Sequence, residues 1–543
     1  MAEKNSCHKV NITSINSSGF GVCRVEGVVC FVAGGVTGDE LEIKIIKSKK
    51  NYNIGRIEKI ITPSPRRQEN DCPVFKKCGG CVYRHVNYKD ELEIKETGVR
   101  DAFTRIGHIE NINLKPIIPA DSSLRYRNKA QYPVKNENGR FYAGFFAART
   151  HEIIPCDDCL LQPEIFSEIV KDVCLWAEKN NIPSFDEKTG KGVLRHIYLR
   201  IAEATDEIML TLVSAQNKLR NQDELIKTIT EKFPQIKSII LNINRDKTNV
   251  ILGQECIKLF GSDHITDILC DTKIKISPLS FYQVNRLQAQ KLYNKAREYM
   301  GDVKGKNVID LYCGTGTIGL CTAKDAEKLI GVEIIPEAIE DAKENAKINK
   351  RTNTEFICGD AEKAAKVLKE KNIKADIIVV DPPRKGLTPE LIETISDFDP
   401  ERVVYVSCDP ATLARDCEIF RNYSFEVIEA TPVDLFPRTA HCETVVLLVK
   451  LPPDDVINIE LDLTKLDISI NDGKPTYDQI KAYVLKMYGL KVSSLYISQI
   501  KRKHGLEVGE SYNKSKKDNQ HIPQCPKDKE DAITDALKYF KMI

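Results

Sequence analysis

Asn307–Leu320 reads NVIDLYCGTGTIGL, and it decides the fold of the larger part of this 543-residue chain. Val308, Ile309 and Leu311 make a short buried strand, the glycines make a turn, and "TIGL" starts a helix. Gly314, Gly316 and Gly319 form G-x-G-x-x-G, and Glu333 ends the next strand, KLIGVE, 19 residues after Gly314. A Rossmann-like dinucleotide site has this layout. Asp310 divides two cofactor readings. NAD would bring a pyrophosphate to the turn, and a carboxylate there would repel it. S-adenosylmethionine carries a sulfonium and an ammonium and no phosphate, so an acid at the strand end favours it. Glu333 then suits the ribose hydroxyls, and Asp360 in FICGDA suits the adenine amine.

The pattern continues outward as alternating strands and helices over about residues 275–450, the mark of a parallel sheet with crossover helices. The next strand, ADIIVVDPPRKG, ends in Asp381-Pro382-Pro383-Arg384. An Asp-Pro-Pro turn at a strand's carboxyl end offers oxygens to a flat polar substrate. Amino-group methyltransferases place an aromatic after the prolines; here Arg384 stands there, which weakens that reading.

The following strand, RVVYVSCDPATLARD, puts Cys408 at its carboxyl end, before a proline turn and a helix. Most free cysteines are small core residues. Strand end and helix N-terminus together predict an exposed thiol with its thiolate favoured. Carbon 5 of a uracil ring is too weak a nucleophile to take a methyl group unaided, and thiolate addition at carbon 6 makes it an enolate carbon. A base must then remove the carbon-5 proton. Glu443, at the start of an apolar strand in DLFPRTAHCETVVLL, is the candidate; His441 is its rival.

The rest of the chain predicts three further parts. Residues 1–62 carry five short strand-like runs (9–15, 21–25, 28–32, 40–46 and 54–61), a small barrel of the oligonucleotide-binding kind. Lys44, Lys47, Lys49, Lys50 and Tyr52 suit a nucleic-acid backbone, or form a plain solvated loop. Residues 63–272 hold a cysteine-rich segment, a helix from Tyr88 to Arg105, and basic strands in LRYRNKAQYPV and VLRHIYLRIAE, of which Arg125–Lys129 could grip RNA. Residues 273–451 are the Rossmann-like domain. In 452–543 two helices flank Tyr488-Gly489, the second ending in Lys501-Arg502-Lys503, and SYNKSKK adds Lys514, Lys516 and Lys517. That tail is an RNA-binding accessory or a solvated helical cap.

Composition is that of an ordinary globular protein, 42% hydrophobic and 29% charged. A net charge of +2 gives no global case for nucleic acid. No signal peptide or membrane span is evident, so a cytoplasmic protein is expected, and there its 18 cysteines point to metal or catalysis, not disulfides.

FYQVN (281–285), DLYCGTG (310–316), DPPRKG (381–386), VYVSCDPATLARD (404–416) and FPRTAHCETV (436–445) together resemble the RNA 5-methyluridine methyltransferase family, specifically its iron–sulfur 23S ribosomal RNA branch. The resemblance covers residues 7–450. It implies that Gln283, Tyr312, Glu333 and Asp381 contact the cofactor, that Cys408 is the nucleophile and Glu443 the proton acceptor, and that Phe281 lies near the target base. Asp409 stands where asparagine is common in the family, a mild departure. Cys72, Cys78 and Cys81 make C-x5-C-x2-C, and Cys159 matches the fourth ligand of a [4Fe–4S] cluster, with Cys156 a nearby rival. Ligand type alone allows zinc equally; the resemblance favours iron, in a structural role with a redox role left open. The N-terminal barrel resembles the RNA-binding TRAM domain, and barrel and cluster together favour 23S RNA over tRNA. The substrate is thus RNA, and a monomer is expected. The readings from other classes are an NAD-dependent enzyme, opposed by Asp310, and a non-catalytic RNA-binding protein on a methyltransferase scaffold, opposed by the intact Cys408 and Glu443.

Overall fold

Residues 7–62 fold as one six-stranded sheet: β1 (Cys7–Asn11), β2 (Ser14–Ile15), β3 (Phe20–Val25), β4 (Val28–Ala33), β5 (Glu40–Ser48) and β6 (Tyr52–Thr62), in the order β1-β5-β6-β4-β3-β2. Period-two alternation points Val10, Cys23, Val25, Cys30, Val32, Leu41, Ile43 and Ile45 into one core. Glu26 and Gly27 have φ of 50° and 78°, which is what a two-residue turn between β3 and β4 requires. The run expected over 9–15 is broken, because Ile12 N still bonds the Asp39 carbonyl next to β5 while Thr13 N turns to the Val22 carbonyl of β3. This computed structural model describes residues 2–451, 477–490, 492–506, 525–540 and 542–543.

A cysteine-bearing segment follows this sheet, then helix α1 (Tyr88–Arg105). Val99, Ala102 and Phe103 of α1 pack with Ile309, Ile330, Val403 and Leu413 of the Rossmann-like part. Leu114 and Ile118 bridge Ala430 and Val433 of that same part. Residues 63–120, read from sequence as part of the central region, therefore contribute to the core of the next one.

The central sheet contains β7 (Lys129–Glu137), β8 (Arg140–Phe146), β9 (Ile153–Pro155), β10 (Leu194–Ala202), β11 (Glu207–Ser214), β12 (Ile236–Ile243) and β13 (Glu255–Gly261), in the order β13-β12-β11-β10-β7-β8-β9. Apolar faces of α2 (Glu164–Lys179) and α3 (Gln222–Lys232) cover it, with Phe166, Ile169, Val173, Leu225 and Ile229 inward. The basic strands are largely structural. Arg195 is buried and donates to the carbonyls of Asn244 and Asp246, and Arg200 is buried and donates to those of Ser277 and Ser280.

The hairpin β14 (Ile265–Leu269) and β15 (Thr272–Ile276) leads to α4 (Arg286–Met300). The remaining elements of this unit are β16 (Asn307–Leu311), α5 (Thr317–Thr322), β17 (Lys328–Glu333), α6 (Pro336–Ile348), β18 (Thr354–Cys358), α7 (Ala361–Glu370), β19 (Ile377–Val380), α8 (Pro389–Asp397), β20 (Arg402–Ser407), α9 (Pro410–Arg421), β21 (Phe425–Val433) and β22 (Glu443–Lys450). Their sheet runs β18-β17-β16-β19-β20-β22-β21, parallel except for β22, which is antiparallel to both neighbours. The chain builds outward from β16 to β18 and then returns to the other side of β16 with β19. That reversal opens a crevice at the strands' carboxyl ends between β16 and β19, where ligands bind in open sheets.

The chain divides at Val456 into two compact units. The second contains α10 (Tyr477–Tyr488), α11 (Ser494–Lys503) and α12 (Lys527–Tyr539), joined by Ile480, Val484, Ile497, Ile500, Ile533 and Leu537. Two helices around Gly489 were expected; α12 was not. Lys501 is buried, with its ammonium 4.5 Å from the centre of the Tyr477 ring, so it is not a free surface charge. Lys514, Lys516 and Lys517 lie outside the described residues.

Candidate active site

The glycine turn is shaped by backbone conformation. Tyr312, Gly314 and Gly316 have φ of 68°, 54° and 75°. Only glycine takes such angles without strain, which explains the two glycines and marks Tyr312 as constrained. Glu333 closes the turn from the neighbouring strand: one carboxylate oxygen accepts from Gly314 N at 3.1 Å, the other from Ile334 N and Ile335 N at 2.8 and 3.0 Å. Asp310 is fully buried; its Oδ2 accepts from Gly319 N at 2.9 Å, while its Oδ1 has no partner.

These acids repel one another. Burial pushes Asp310 up to about 7, and the charges of Asp381 and Glu333 add to this. Asp381, one residue past the end of β19, is likewise raised to about 7 by withdrawal from water. An orphaned buried carboxylate oxygen facing two more acids fits a cationic ligand and opposes a pyrophosphate. The donor set thus suits S-adenosylmethionine. Gln283 is buried, and its backbone carbonyl accepts from Asn128 Nδ2 at 2.9 Å. Tyr312 is half-buried near Asp360, whose charge helps burial raise the phenol to about 12. Asp360 itself is exposed and caps α7, accepting from Lys363 N at 3.2 Å.

Cys408 and Glu443 come together through register. The β20–β22 ladder ends on the pair Ser407–Thr444, so Cys408 and Glu443 occupy the next opposed position. Glu443 is buried and raised to about 8, first by burial and then by Asp381, with Arg384 acting against both. Cys408 is half-buried and raised to about 11 by burial, Glu443 and Asp381, again with Arg384 in opposition. The expected thiolate-favouring environment is therefore absent. The start of α9 is occupied by Asp409, whose Oδ1 accepts from Ala411 N at 2.9 Å and Thr412 N at 3.3 Å, and two carboxylates flank the thiol. Either asparagine or aspartate makes that cap, which accounts for the mild departure at 409. His441 lies against Arg384, 3.1 Å from Nη2, and burial and that guanidinium lower its proton affinity. Phe281 is 62% exposed.

Sequence reading missed Asp416, which holds the Asp-Pro-Pro loop in place. Buried on α9, it accepts from Leu387 N (2.8 Å) and the Tyr405 hydroxyl (2.7 Å). Nothing in the local pattern distinguishes it from a solvent-facing helix acid.

Cys72, Cys78, Cys81 and Cys159 share a neighbourhood. Burial raises Cys81 to about 12, and the other three thiols add to that rise. Gly80 N donates to Cys78 Sγ at 3.4 Å. Cys156 lies among the same sulfurs, raised to about 12 by burial, Cys159, Cys72 and Cys78. Thiol donors of this number are the chemistry of an iron–sulfur or zinc site. Among the described residues, no group of three or more ligating side chains is already arranged to hold a metal ion. Arg125, expected to face RNA, instead clasps Asp158 through two bonds of 2.6 and 2.7 Å and donates to the Cys159 carbonyl at 3.2 Å.

Among the described residues, no helix is long and apolar enough to cross a membrane. Residues 87–451 match the family model "tRNA (Uracil-5-)-methyltransferase", and residues 3–57 match the TRAM domain. The chain is similar to proteins described as uncharacterized RNA methyltransferases. One from Clostridium tetani is 45% identical over 82% of this chain and 97% of its own length. One from Bacillus cereus is 44% identical over 83% of this chain and 98% of its own length. Among solved structures, it resembles the Pyrococcus abyssi tRNA (uracil-54, C5)-methyltransferase in complex with S-adenosyl-L-homocysteine. That likeness has a TM-score of 0.66 and 27% identity, covering 81% of this chain and all of that one. The chain is thus an S-adenosylmethionine-dependent RNA methyltransferase, and it belongs to the tRNA (uracil-5-)-methyltransferase family with an N-terminal TRAM domain.

Proposed function

We propose that the protein methylates carbon 5 of a uridine in 23S ribosomal RNA, with Cys408 as nucleophile and Glu443 as proton acceptor. The observation that carries this is their opposed position beyond the Ser407–Thr444 pair, beside the acids of the cofactor crevice. S-adenosylmethionine supplies an electrophilic methyl group on a sulfonium, and Asp310, Gln283, Tyr312, Glu333, Asp360 and Asp381, with the Gly314–Gly316 turn, would hold it. Cys408 first loses its proton to solvent. Its thiolate then bonds to carbon 6 of the ring, and the carbon 5–carbon 6 π electrons become an enolate. Carbon 5 takes the methyl as the carbon–sulfur bond of the donor breaks. The Glu443 carboxylate removes the remaining carbon-5 proton, the double bond re-forms, and the Cys408–carbon 6 bond breaks to return the thiolate.

A uridine in folded RNA must be turned out of its stack to reach this crevice. Exposed Phe281 is suited to receive it. The TRAM domain offers Lys47, Lys49, Lys50 and Tyr52, all exposed, for backbone contacts. Cys72, Cys78, Cys81 and Cys159 would hold a [4Fe–4S] cluster that staples the segment beside the site. The second unit, after Val456, is assigned an accessory RNA-binding role; unchanged RNA affinity and salt dependence after its deletion would overturn that part.

Barrel and thiol set favour 23S RNA, whereas the Pyrococcus neighbour is described as acting on tRNA. Mapping 5-methyluridine in RNA from a strain lacking the protein decides. Loss in 23S RNA is expected. Loss in tRNA alone would transfer the same chemistry to that substrate, and loss in neither would overturn the proposal.

A further inference from the structure

A buried charge network joins α1 to the loop that delivers Glu443. Lys95, on the inner side of α1, donates to Glu91 Oε1 at 2.8 Å, Asp434 Oδ1 at 2.7 Å and the Phe436 carbonyl at 3.1 Å. The Tyr88 hydroxyl donates to Asp434 Oδ2 at 2.7 Å and accepts from Ala120 N at 2.8 Å. Arg438 N donates to Glu91 Oε1 at 2.7 Å, and its guanidinium donates to the Val86 carbonyl at 2.9 Å and to Ser123 Oγ at 3.0 Å. Glu91, Lys95 and Asp434 are all essentially inaccessible to water. Burial opposes the Lys95 charge, but Glu91 and Asp434 outweigh it and keep the ammonium protonated.

Two features separate this arrangement from ordinary core stabilisation. Arg438 has φ of 69°, a conformation a side-chain-bearing residue keeps only when its surroundings impose it. Its carbonyl is gripped from the far side by Val82 N at 2.7 Å and Tyr83 N at 3.1 Å, immediately after Cys81. Desolvating several charges gains little stability over apolar packing of the same volume, so a network of this kind is better suited to holding a geometry. The loop it holds runs from Asp434 to Cys442, and the next residue is Glu443.

We propose that Lys95, acting through Glu91, Asp434 and Arg438, is a positioning residue that sets the Glu443 carboxyl against the substrate carbon-5 proton. The inference rests on the reading of Glu443 as proton acceptor. Lys95 touches neither substrate nor cofactor, so its loss should impair proton removal and spare binding.

The test uses the full chain, S-adenosylmethionine and total RNA from a strain lacking the protein, with Glu443→Gln as reference. For Lys95→Met, kcat is expected to fall about 10- to 100-fold, with KM for RNA and cofactor within about 3-fold of the parent. A covalent RNA–protein species should persist on denaturing gels, as for Glu443→Gln, and Lys95→Arg should recover part of kcat. Unchanged kcat, or a fall in kcat without the covalent species, overturns the inference. Tyr88→Phe removes one hydroxyl and decides the matter if Lys95→Met does not fold. A smaller fall in kcat with the same covalent species supports the proposal, and parental kinetics overturn it. If Glu443→Gln itself traps nothing, the reading of Glu443 fails; if it traps the species and the network variants do not, only the present inference fails.

Discussion

Cys408 and Glu443 face each other across the antiparallel seam of β20 and β22, one position beyond the last paired residues, Ser407 and Thr444. A parallel neighbour would carry its strand start to the opposite end of the sheet. The reversed direction of β22 brings the beginning of one strand to the end of the other, so Cys408 and Glu443 share one rim of the crevice.

Removing the two groups should stop the reaction at different points. Cys408→Ala is expected to lose methyl transfer by at least about 10⁴-fold and to form no adduct with 5-fluorouridine-containing RNA. Glu443→Gln should lose about 10²–10⁴-fold in turnover while an RNA–protein adduct accumulates. Methyl transfer undiminished in the alanine variant, measured with radiolabelled cofactor, would eliminate covalent catalysis.

Rate should climb with pH. The proposed roles require the thiol, raised to about 11, and the Glu443 carboxyl, raised to about 8, to be deprotonated. Since both stand above their ordinary values, kcat/KM is expected to rise steeply below pH about 8 and with unit slope above it. A flat profile between pH 6 and pH 9, or a falling one, contradicts these roles.

Cofactor binding should expel protons. Asp310 and Asp381 are each raised to about 7, so near neutrality both are partly protonated. A cation favours their charged forms and lowers both pKa values, which releases on the order of one proton per site. Calorimetry of S-adenosylmethionine binding in buffers of different ionisation enthalpy reads this directly. S-adenosylhomocysteine, without the sulfonium charge, should release fewer, and equal enthalpies in all buffers would rule the effect out.

Asp409 should behave as a helix cap. Asp409→Asn is expected to change stability by no more than about 0.5 kcal/mol, whereas Asp409→Ala should cost about 1 kcal/mol in denaturant titrations. A large loss in the asparagine variant would show that the charge, not the cap, matters.

Gly386 has φ of 73°, and a Cβ there would meet Asp416 Oδ2 at 2.4 Å. Gly386→Ala is expected to destabilise by about 1–3 kcal/mol and to lower turnover by moving the loop that carries Asp381 and Arg384. Parental thermal stability and activity would show that Asp416 does not anchor the loop.

The sequence by itself determined the parallel-sheet architecture, the glycine turn with its acids at strand ends, and the β-rich N-terminal part. Each of these is a local matter: apolar periodicity, glycine's access to positive φ, and strand length are all written within a few residues. Tertiary structure decided the rest. Asp409 takes the helix N-terminus that the local pattern offered to Cys408, so the thiol is raised where a lowered one was expected. Arg125 reads as an RNA-gripping residue and Arg195 and Arg200 as members of a basic strand, yet they are spent on Asp158 and on backbone carbonyls. Glu91 and Lys95 have the i, i+4 spacing of an exposed helical ion pair, yet Asp434, 339 residues beyond Lys95, closes them into a buried network. Spacing along one helix reveals which groups can pair. Whether water surrounds that pair depends on what the remainder of the chain packs over it, and burial sets both its charge state and its use.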